Sequence, residues 1–123
     1  MQTQRNAERI LVVDDEDLGR TAIQLFLSSK GYTVEVVPSA DEALAHLERE
    51  HYDLVITDNQ MSGMLGTELA LAIKTRWPWL PIVMFSAHPP EGPMGSLDLV
   101  LTKPGDVPIL LKSVRLVLDR AAQ

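Results

Sequence analysis

Two short runs of β-branched and aliphatic residues end abruptly in aspartate, and this repeated pattern limits the folds open to the chain. Residues 9–13 are followed by Asp14 and Asp15, and residues 53–57 are followed by Asp58. A short, continuous apolar run is typical of a strand that is buried on both faces, as in a parallel sheet. A carboxylate directly after the run indicates that the strand ends where polar groups can be solvated or can bind a ligand.

Three further apolar runs have the length of strands, at residues 33–37, 82–85 and 97–101. Longer amphipathic stretches separate the first four of the five runs and follow the fifth. In the first stretch, helical spacing puts four residues on one face: Leu18, Ala22, Leu25 and Ser29. Ser39 can cap the second helix, because Glu42 lies three residues further on. Strands that alternate with helices predict right-handed crossovers and a parallel sheet covered by helices on both faces.

Ligands bind at the carboxyl ends of the strands in such sheets. Five side chains directly follow predicted strands and are expected to meet at that edge: Asp14, Asp15, Asp58, Ser86 and Lys103. Close carboxylates repel one another unless a cation lies among them, and Mg²⁺ with oxygen ligands relieves this repulsion. Lys103 and Ser86 could bind phosphoryl oxygens. A carboxylate such as Asp58 can itself be a nucleophile toward phosphorus.

The ordered set of strand-end residues resembles the receiver domain of two-component response regulators. The matching pieces are Asp14-Asp15 after the first strand, Asp58 after the third, Ser86-Ala87 after the fourth and Lys103-Pro104 after the fifth. The resemblance covers nearly the whole chain. It implies a doubly wound, flavodoxin-like α/β fold whose five-stranded parallel sheet has the order 2-1-3-4-5.

The resemblance also implies a role for each site residue. Asp58 would accept a phosphoryl group from a histidine kinase or phosphotransfer protein. Asp15, assisted by Asp14, would hold Mg²⁺ together with Asp58 and the backbone carbonyl of Gln60. Lys103 would contact the phosphoryl group, and Ser86 would move toward it as the switch.

No enzymatic activity is implied beyond Mg²⁺-dependent self-phosphorylation and autodephosphorylation. The side chain of Gln60 would lie near the path of the hydrolytic water and would tune the lifetime of the phosphoryl group. The output would be a change in binding to a downstream protein or to a covalently linked output domain.

The segment between the predicted fourth and fifth strands departs from the family. Residues 88–96 contain three prolines and two glycines, which do not sustain an ordinary helix. The family's fourth helix is therefore predicted to be missing or reduced to a turn. Val100 also stands where an aromatic residue usually moves with the hydroxyl switch, and Ser62 replaces a usual proline. We expect an intact phosphorylation pocket and hypothesise that the Pro/Gly segment orders when Asp58 is phosphorylated.

Length and charge exclude other classes of function. A chain of 123 residues suits one domain, which we predict to span residues 1–123. The net charge of −6 at pH 7 argues against nucleic-acid binding by this chain, because phosphate contacts need clustered Lys or Arg. The absence of cysteine rules out disulfides and thiolate metal sites. With neither a secretory signal nor a membrane-spanning run, the cytoplasm is the expected location.

Three other classes of protein compete with a phosphoacceptor switch. A receiver-like module that acts only by binding proteins, without phosphorylation, would keep the fold. The complete acidic set with Lys103 argues against this class, and the altered output face keeps it open. A phosphatase of the haloacid-dehalogenase type would have Asp-x-Asp after the first strand, whereas the residues here run Asp14-Asp15-Glu16-Asp17. Nucleotide binding would need a Gly-rich phosphate loop, and none follows the first strand.

Overall fold

The computed structural model describes residues 7–91 and 95–122. In chain order the elements are β1 (Arg9–Val13), α1 (Asp17–Ser28), β2 (Thr33–Val37), α2 (Ala40–Arg49), β3 (Leu54–Thr57), α3 (Gly66–Arg76), β4 (Ile82–Ser86), β5 (Leu99–Thr102) and α4 (Val107–Ala121). All neighbouring strands are parallel, in the order β2-β1-β3-β4-β5. This confirms the predicted doubly wound sheet. Of the helices in these residues, none is both long enough and apolar enough to cross a membrane.

Helices cover both faces of the sheet because side chains alternate along each strand. On β1, Ile10 and Val12 belong to a core layer that α1 and α4 complete, and Leu11 and Val13 belong to a second layer that α2 and α3 complete. Every residue of β3 and β4 is buried, whereas the edge strands β2 and β5 are partly exposed. The apolar runs that end in site residues are thus largely central strands.

The buried face of α1 differs from the face singled out in the sequence. Leu18 and Leu25 are 81% and 66% exposed, whereas Ile23 and Leu27 are buried. The orientation follows from Gly19: a Cβ atom at that position would lie 3.2 Å from Asp14 Oδ2. Because Gly19 packs against the end of β1, residues four and eight positions later face the sheet.

The connection between β4 and β5 contains no helix among residues 87–91 and 95–98, in agreement with the prediction from its prolines and glycines. Residues 92–94 of that predicted segment lie outside the described residues. β5 begins at Leu99, two residues later than expected from the apolar run. Asp98 explains the difference, since its carboxylate accepts the Ile82 N–H at 2.7 Å and its own N–H donates to the Ile82 carbonyl at 2.8 Å.

The first residue of α3 lies against the loop that follows β3. Gly66 N–H donates to the Asn59 carbonyl at 2.7 Å. A Cβ atom on Gly66 would lie 2.1 Å from the backbone oxygen of Asp58 and 2.9 Å from the Asn59 Cα. Only a residue without a side chain permits this approach, so Gly66 determines how closely α3 packs against the loop that carries Asp58.

Replacing Gly66 with alanine is therefore expected to destabilise the fold, because backbone atoms rather than a flexible side chain would have to shift. The expected loss is about 3 kcal/mol of unfolding free energy, at the upper end of overpacking effects. Urea denaturation measures it. Gly105→Ala is the matched control, since a Cβ atom at Gly105 meets no atom within 4 Å. Equal stability of the two variants would contradict the close approach.

Candidate functional site

Backbone hydrogen bonds anchor three of the predicted site residues just beyond the strands. The N–H of Asp14 donates to Val37 at 3.2 Å, that of Asp58 to Val13 at 3.0 Å and that of Lys103 to Ser86 at 2.9 Å. Each bond continues the parallel ladder by one residue past a strand end. The sheet therefore sets the backbone position of each side chain at its carboxyl edge.

The ammonium of Lys103 contacts two of the predicted carboxylates. Its Nζ lies 2.7 Å from Asp14 Oδ2 and 3.4 Å from Asp58 Oδ2. Asp14 is buried, and the side chain of Asp58 is 17% exposed. The same ammonium lies 5.5 Å from the centre of the Phe85 ring, whose face attracts cations. The structure thus brings Asp14, Asp58 and Lys103 together as the sequence predicts.

These contacts keep Lys103 charged. Burial on its own would lower the pKa of the amine, because it disfavours the charged form. The hydrogen bond and negative charge of Asp14, together with the charge of Asp58, outweigh burial and raise the pKa above its ordinary value of 10.5. A fixed positive charge therefore faces both carboxylates throughout the neutral pH range.

Main-chain N–H groups hold the other carboxylate oxygens. Asp14 Oδ1 accepts from the N–H of Glu16 at 3.0 Å, and Asp58 Oδ1 accepts from the N–H of Asn59 at 2.6 Å. Asp15 is exposed, and its Oδ2 accepts the N–H of Ser62 at 3.2 Å. A proline at position 62 would have no N–H to donate. The departure noted at Ser62 therefore gives Asp15 a contact that links the loops after β1 and β3.

The donor chemistry of this edge fits a hard divalent cation. The carboxylates of Asp14 and Asp58 converge on one positive charge, that of Lys103, and oxygen ligands of this type are those that Mg²⁺ prefers. Within residues 7–91 and 95–122, no group of three or more His, Asp or Glu side chains is arranged to hold a metal ion. The predicted ligands Asp14, Asp15 and Asp58, with the carbonyl of Gln60, thus stay a prediction.

Ser86 lies at the same edge, at the end of β4. It is 1% exposed, and its Oγ accepts the N–H of His88 at 3.1 Å. Val100 of β5, at the usual aromatic position, pairs with Met84 of β4 and is half-buried. The hydroxyl is therefore present at its predicted place without an aromatic neighbour at position 100.

Two further residues contact the site and were not predicted. Arg20 Nη1 donates to the backbone carbonyl of Asp14 at 2.7 Å, and Asn59 Nδ2 donates to the carbonyl of His88 at 3.2 Å. Arg20 lies in the first turns of α1, and its position a few residues after Asp14 and Asp15 is the sequence signal that would have indicated it. Asn59 offered no signal except its place beside Asp58, because its partner is 29 residues away.

The sequence pattern of the response regulator receiver domain matches residues 10–115, so the chain belongs to the response regulator receiver family. Response regulator protein FleR of Pseudomonas aeruginosa is 39% identical over 82 residues, covering 67% of this chain and 17% of FleR. Transcriptional regulatory protein ResD of Bacillus subtilis is 31% identical over 125 residues, covering 98% of this chain and 52% of ResD. The chain thus spans about half or less of the length of these curated relatives.

Solved structures agree with this membership. The response regulator TrrA of Thermotoga maritima, crystallised in complex with Mg²⁺-BeF, superposes with a TM-score of 0.84 at 29% identity, covering 89% of this chain and 98% of TrrA. A chain from the crystal structure of histidine kinase ThkA in complex with TrrA gives a TM-score of 0.82 at 31% identity, covering 90% of this chain and 98% of that one.

The ion pairs of Lys103 lead to a prediction for stability against pH. A raised pKa means that the stabilisation is fully present below pH 10.5 and is lost as pH rises through the raised value. Without Mg²⁺, Lys103→Met is expected to lower the unfolding free energy by about 2 kcal/mol at neutral pH, since Asp14 loses its buried partner.

Urea denaturation at neutral pH and at a series of alkaline pH values tests this. The difference between wild type and Lys103→Met should shrink only above pH 10.5. Lys112→Met, which replaces an exposed lysine, controls for the loss of one positive charge. The same loss of unfolding free energy in both variants, or a loss in Lys103→Met that stays constant across the alkaline range, would contradict the ion pairing of Lys103 with Asp14 and Asp58.

Proposed function

We propose that this chain is a single receiver domain, residues 1–123, in which Asp58 accepts a phosphoryl group from a histidine kinase or phosphotransfer protein. The observation that carries the proposal is the contact of one charged lysine, Lys103, with the two carboxylates Asp14 and Asp58 at the carboxyl edge of the sheet. A nucleophilic carboxylate beside a fixed cation is the arrangement that phosphoryl transfer to aspartate requires.

Asp58 is suited to be the nucleophile. One of its oxygens accepts the Asn59 N–H, and the other is 3.4 Å from the Lys103 ammonium, so the carboxylate has a fixed orientation and remains partly accessible. In the transfer, an oxygen of Asp58 bonds to phosphorus and the P–N bond of phosphohistidine breaks. The bonding electrons go to the imidazole, which leaves as a neutral ring when its other nitrogen carries a proton. The product on this chain is an acyl phosphate.

Lys103 and Ser86 would then bind the phosphoryl group. The ammonium offsets the negative charge that moves onto Asp58. The Ser86 hydroxyl accepts one hydrogen bond in this structure and therefore still has a proton that it can donate to a phosphoryl oxygen. Both groups are placed by adjacent strands, β4 and β5, so they need little rearrangement.

Magnesium would be held by Asp14, Asp15, Asp58 and the backbone carbonyl of Gln60. When bound, it supplies positive charge that offsets the charge of the carboxylates and of the phosphoryl group. The hydrogen bond from Ser62 to Asp15 keeps that carboxylate near the loop that carries Asp58 and Gln60. This arrangement supports Asp15 as a ligand contributed by the first strand's loop.

The phosphorylated chain would act by changing its binding to a downstream protein or to a linked output domain, with no enzymatic activity beyond its own phosphorylation and dephosphorylation. Two observations on relatives support this. TrrA has been crystallised with the histidine kinase ThkA, and the relative ResD is named a transcriptional regulatory protein of which this chain spans 52%.

The phosphoacceptor role predicts one phosphoryl adduct after incubation with acetyl phosphate and Mg²⁺, detected as an increase in intact mass. The adduct should require Mg²⁺ and be missing in Asp58→Asn. Asp41→Asn is the matched control, because Asp41 is an exposed aspartate on α2, and it should be phosphorylated like wild type. If wild type shows no adduct even at the earliest times, the chain is better described as a binding module that is not phosphorylated.

The metal assignment predicts that Asp15→Asn weakens Mg²⁺ binding about tenfold, corresponding to 1.4 kcal/mol, since the first strand's loop loses a charged ligand. Isothermal titration calorimetry with MgCl₂ alone measures the affinity without any phosphoryl donor. Asp17→Asn controls for a loss of charge at the start of α1. Equal affinities for wild type and Asp15→Asn would remove Asp15 from the ligand set.

A further inference from the structure

Two side chains at the edge of the phosphoacceptor site hold the main chain of the same residue, His88. Ser86 Oγ accepts the His88 N–H at 3.1 Å, and Asn59 Nδ2 donates to the His88 carbonyl at 3.2 Å. The imidazole of His88 is exposed and makes neither contact. One residue of the segment after β4 is thus bonded to the proposed hydroxyl switch and to the neighbour of Asp58.

Asn59 is itself rigidly placed. Its N–H donates to Asp58 Oδ1 at 2.6 Å, and its carbonyl accepts the Gly66 N–H at 2.7 Å. The residue is 6% exposed, and its Oδ1 is buried without a hydrogen-bond partner among the described residues. A buried amide that leaves its oxygen unpartnered is unfavourable as a packing choice. The amide of Asn59 donates from Nδ2 to the His88 carbonyl, a hydrogen bond that an apolar side chain at this position could not make.

The residues after His88 make this contact more important. Pro89 and Pro90 have no N–H groups, and a residue that precedes proline is restricted to extended backbone conformations. No helix is present among residues 87–91 to hold this part of the chain by its own hydrogen bonds. The bonds to Ser86 and Asn59 are therefore the side-chain contacts that fix where the segment leaves the sheet.

We propose that Asn59 is a positioning residue for the phosphoryl response: through the main chain of His88 it orients the Ser86 hydroxyl toward Asp58 and couples the phosphorylation state of Asp58 to the segment after β4. This inference rests on the proposed phosphoacceptor function. Ser86 Oγ receives the His88 N–H, so its own proton points elsewhere and is available to a phosphoryl oxygen. Any shift of Ser86 toward that oxygen moves the Oγ atom that accepts the His88 N–H. The bond from Asn59 to the His88 carbonyl then either opposes the movement of His88 or passes it on to the segment after β4.

A double-mutant cycle separates this role from a purely structural one. Asn59→Ala and Ser86→Ala are each expected to slow phosphorylation by acetyl phosphate about fivefold, the usual effect of one lost hydrogen bond. Because Asn59 acts through Ser86, the double variant should be no slower than Ser86→Ala alone. Rate losses that multiply in the double variant, or an unchanged rate in Asn59→Ala, would overturn the inference.

A second pair of variants avoids buried positions altogether. His88→Pro removes the main-chain N–H and keeps the carbonyl, whereas His88→Ala keeps both groups and removes the imidazole. Phosphorylation of His88→Pro should be about fivefold slower than that of His88→Ala. Equal rates would show that the bond between His88 and Ser86 has no influence on the reaction, and would count against the proposal even if Asn59→Ala failed to fold.

Hydrogen exchange gives a readout independent of rate. Beryllium fluoride with Mg²⁺, used as an acyl-phosphate mimic, should change the exchange rate of the His88 amide in wild type and change it less in Asn59→Ala, in which the His88 carbonyl has lost its bond to Asn59. The same response in both proteins would overturn the coupling. The two proposals fail in different ways. If the proposed function is wrong, wild type forms no adduct with acetyl phosphate. If only this inference is wrong, wild type is phosphorylated and Asn59→Ala is phosphorylated at the same rate.

Discussion

Carboxylates at the carboxyl edge of a parallel sheet repel one another, and in this protein the ammonium of Lys103 offsets that repulsion. Its contacts at 2.7 Å with Asp14 and 3.4 Å with Asp58 join the loops after β1, β3 and β5. Burial opposes the charge on the amine, and the two carboxylates restore it, which raises its pKa. The geometry of the edge depends on this balance, since Asp14 is buried and would otherwise keep an uncompensated charge.

Much of the remaining site is built by main-chain groups. N–H groups of Glu16, Asn59 and Ser62 each hold one carboxylate oxygen. Gly66 lets α3 approach the backbone of Asp58. Such contacts depend on loop conformation more than on side-chain identity, so the site tolerates Ser62 in place of the usual proline and gains a contact to Asp15 from it. The carboxylate of Asp58, the proposed nucleophile, is consequently held by a rigid frame, as transfer by positioning and electrostatics requires.

The altered region of the fold is the connection after β4. Among its described residues there is no helix, and Val100 supplies no aromatic ring beside the hydroxyl. The main chain of His88 is bonded instead to Ser86 and Asn59. A segment held by two side-chain hydrogen bonds is easier to release than a packed helix, and none of residues 87–91 and 95–98 is fully buried. The departures in this region are therefore compatible with a switch in which a hydrogen-bonded segment takes the place of the family's fourth helix.

The sequence by itself determined the sheet and the order of the site residues. The length and the continuous apolar character of the runs that end in Asp14, Asp58 and Ser86 identify them as buried strands. Parallel strands bring such ends to one edge of the sheet. Tertiary structure decided the rest. α1 carries apolar residues on two faces, and the packing of Gly19 against Asp14 selected the face with Ile23 and Leu27. The hydrogen bond between Asp98 and Ile82 makes β5 begin later in the chain than the apolar run predicts. Asn59 is hydrogen-bonded to His88, which is 29 residues further along the chain. These contacts join residues distant in sequence, and local periodicity contains no information about which distant groups become neighbours.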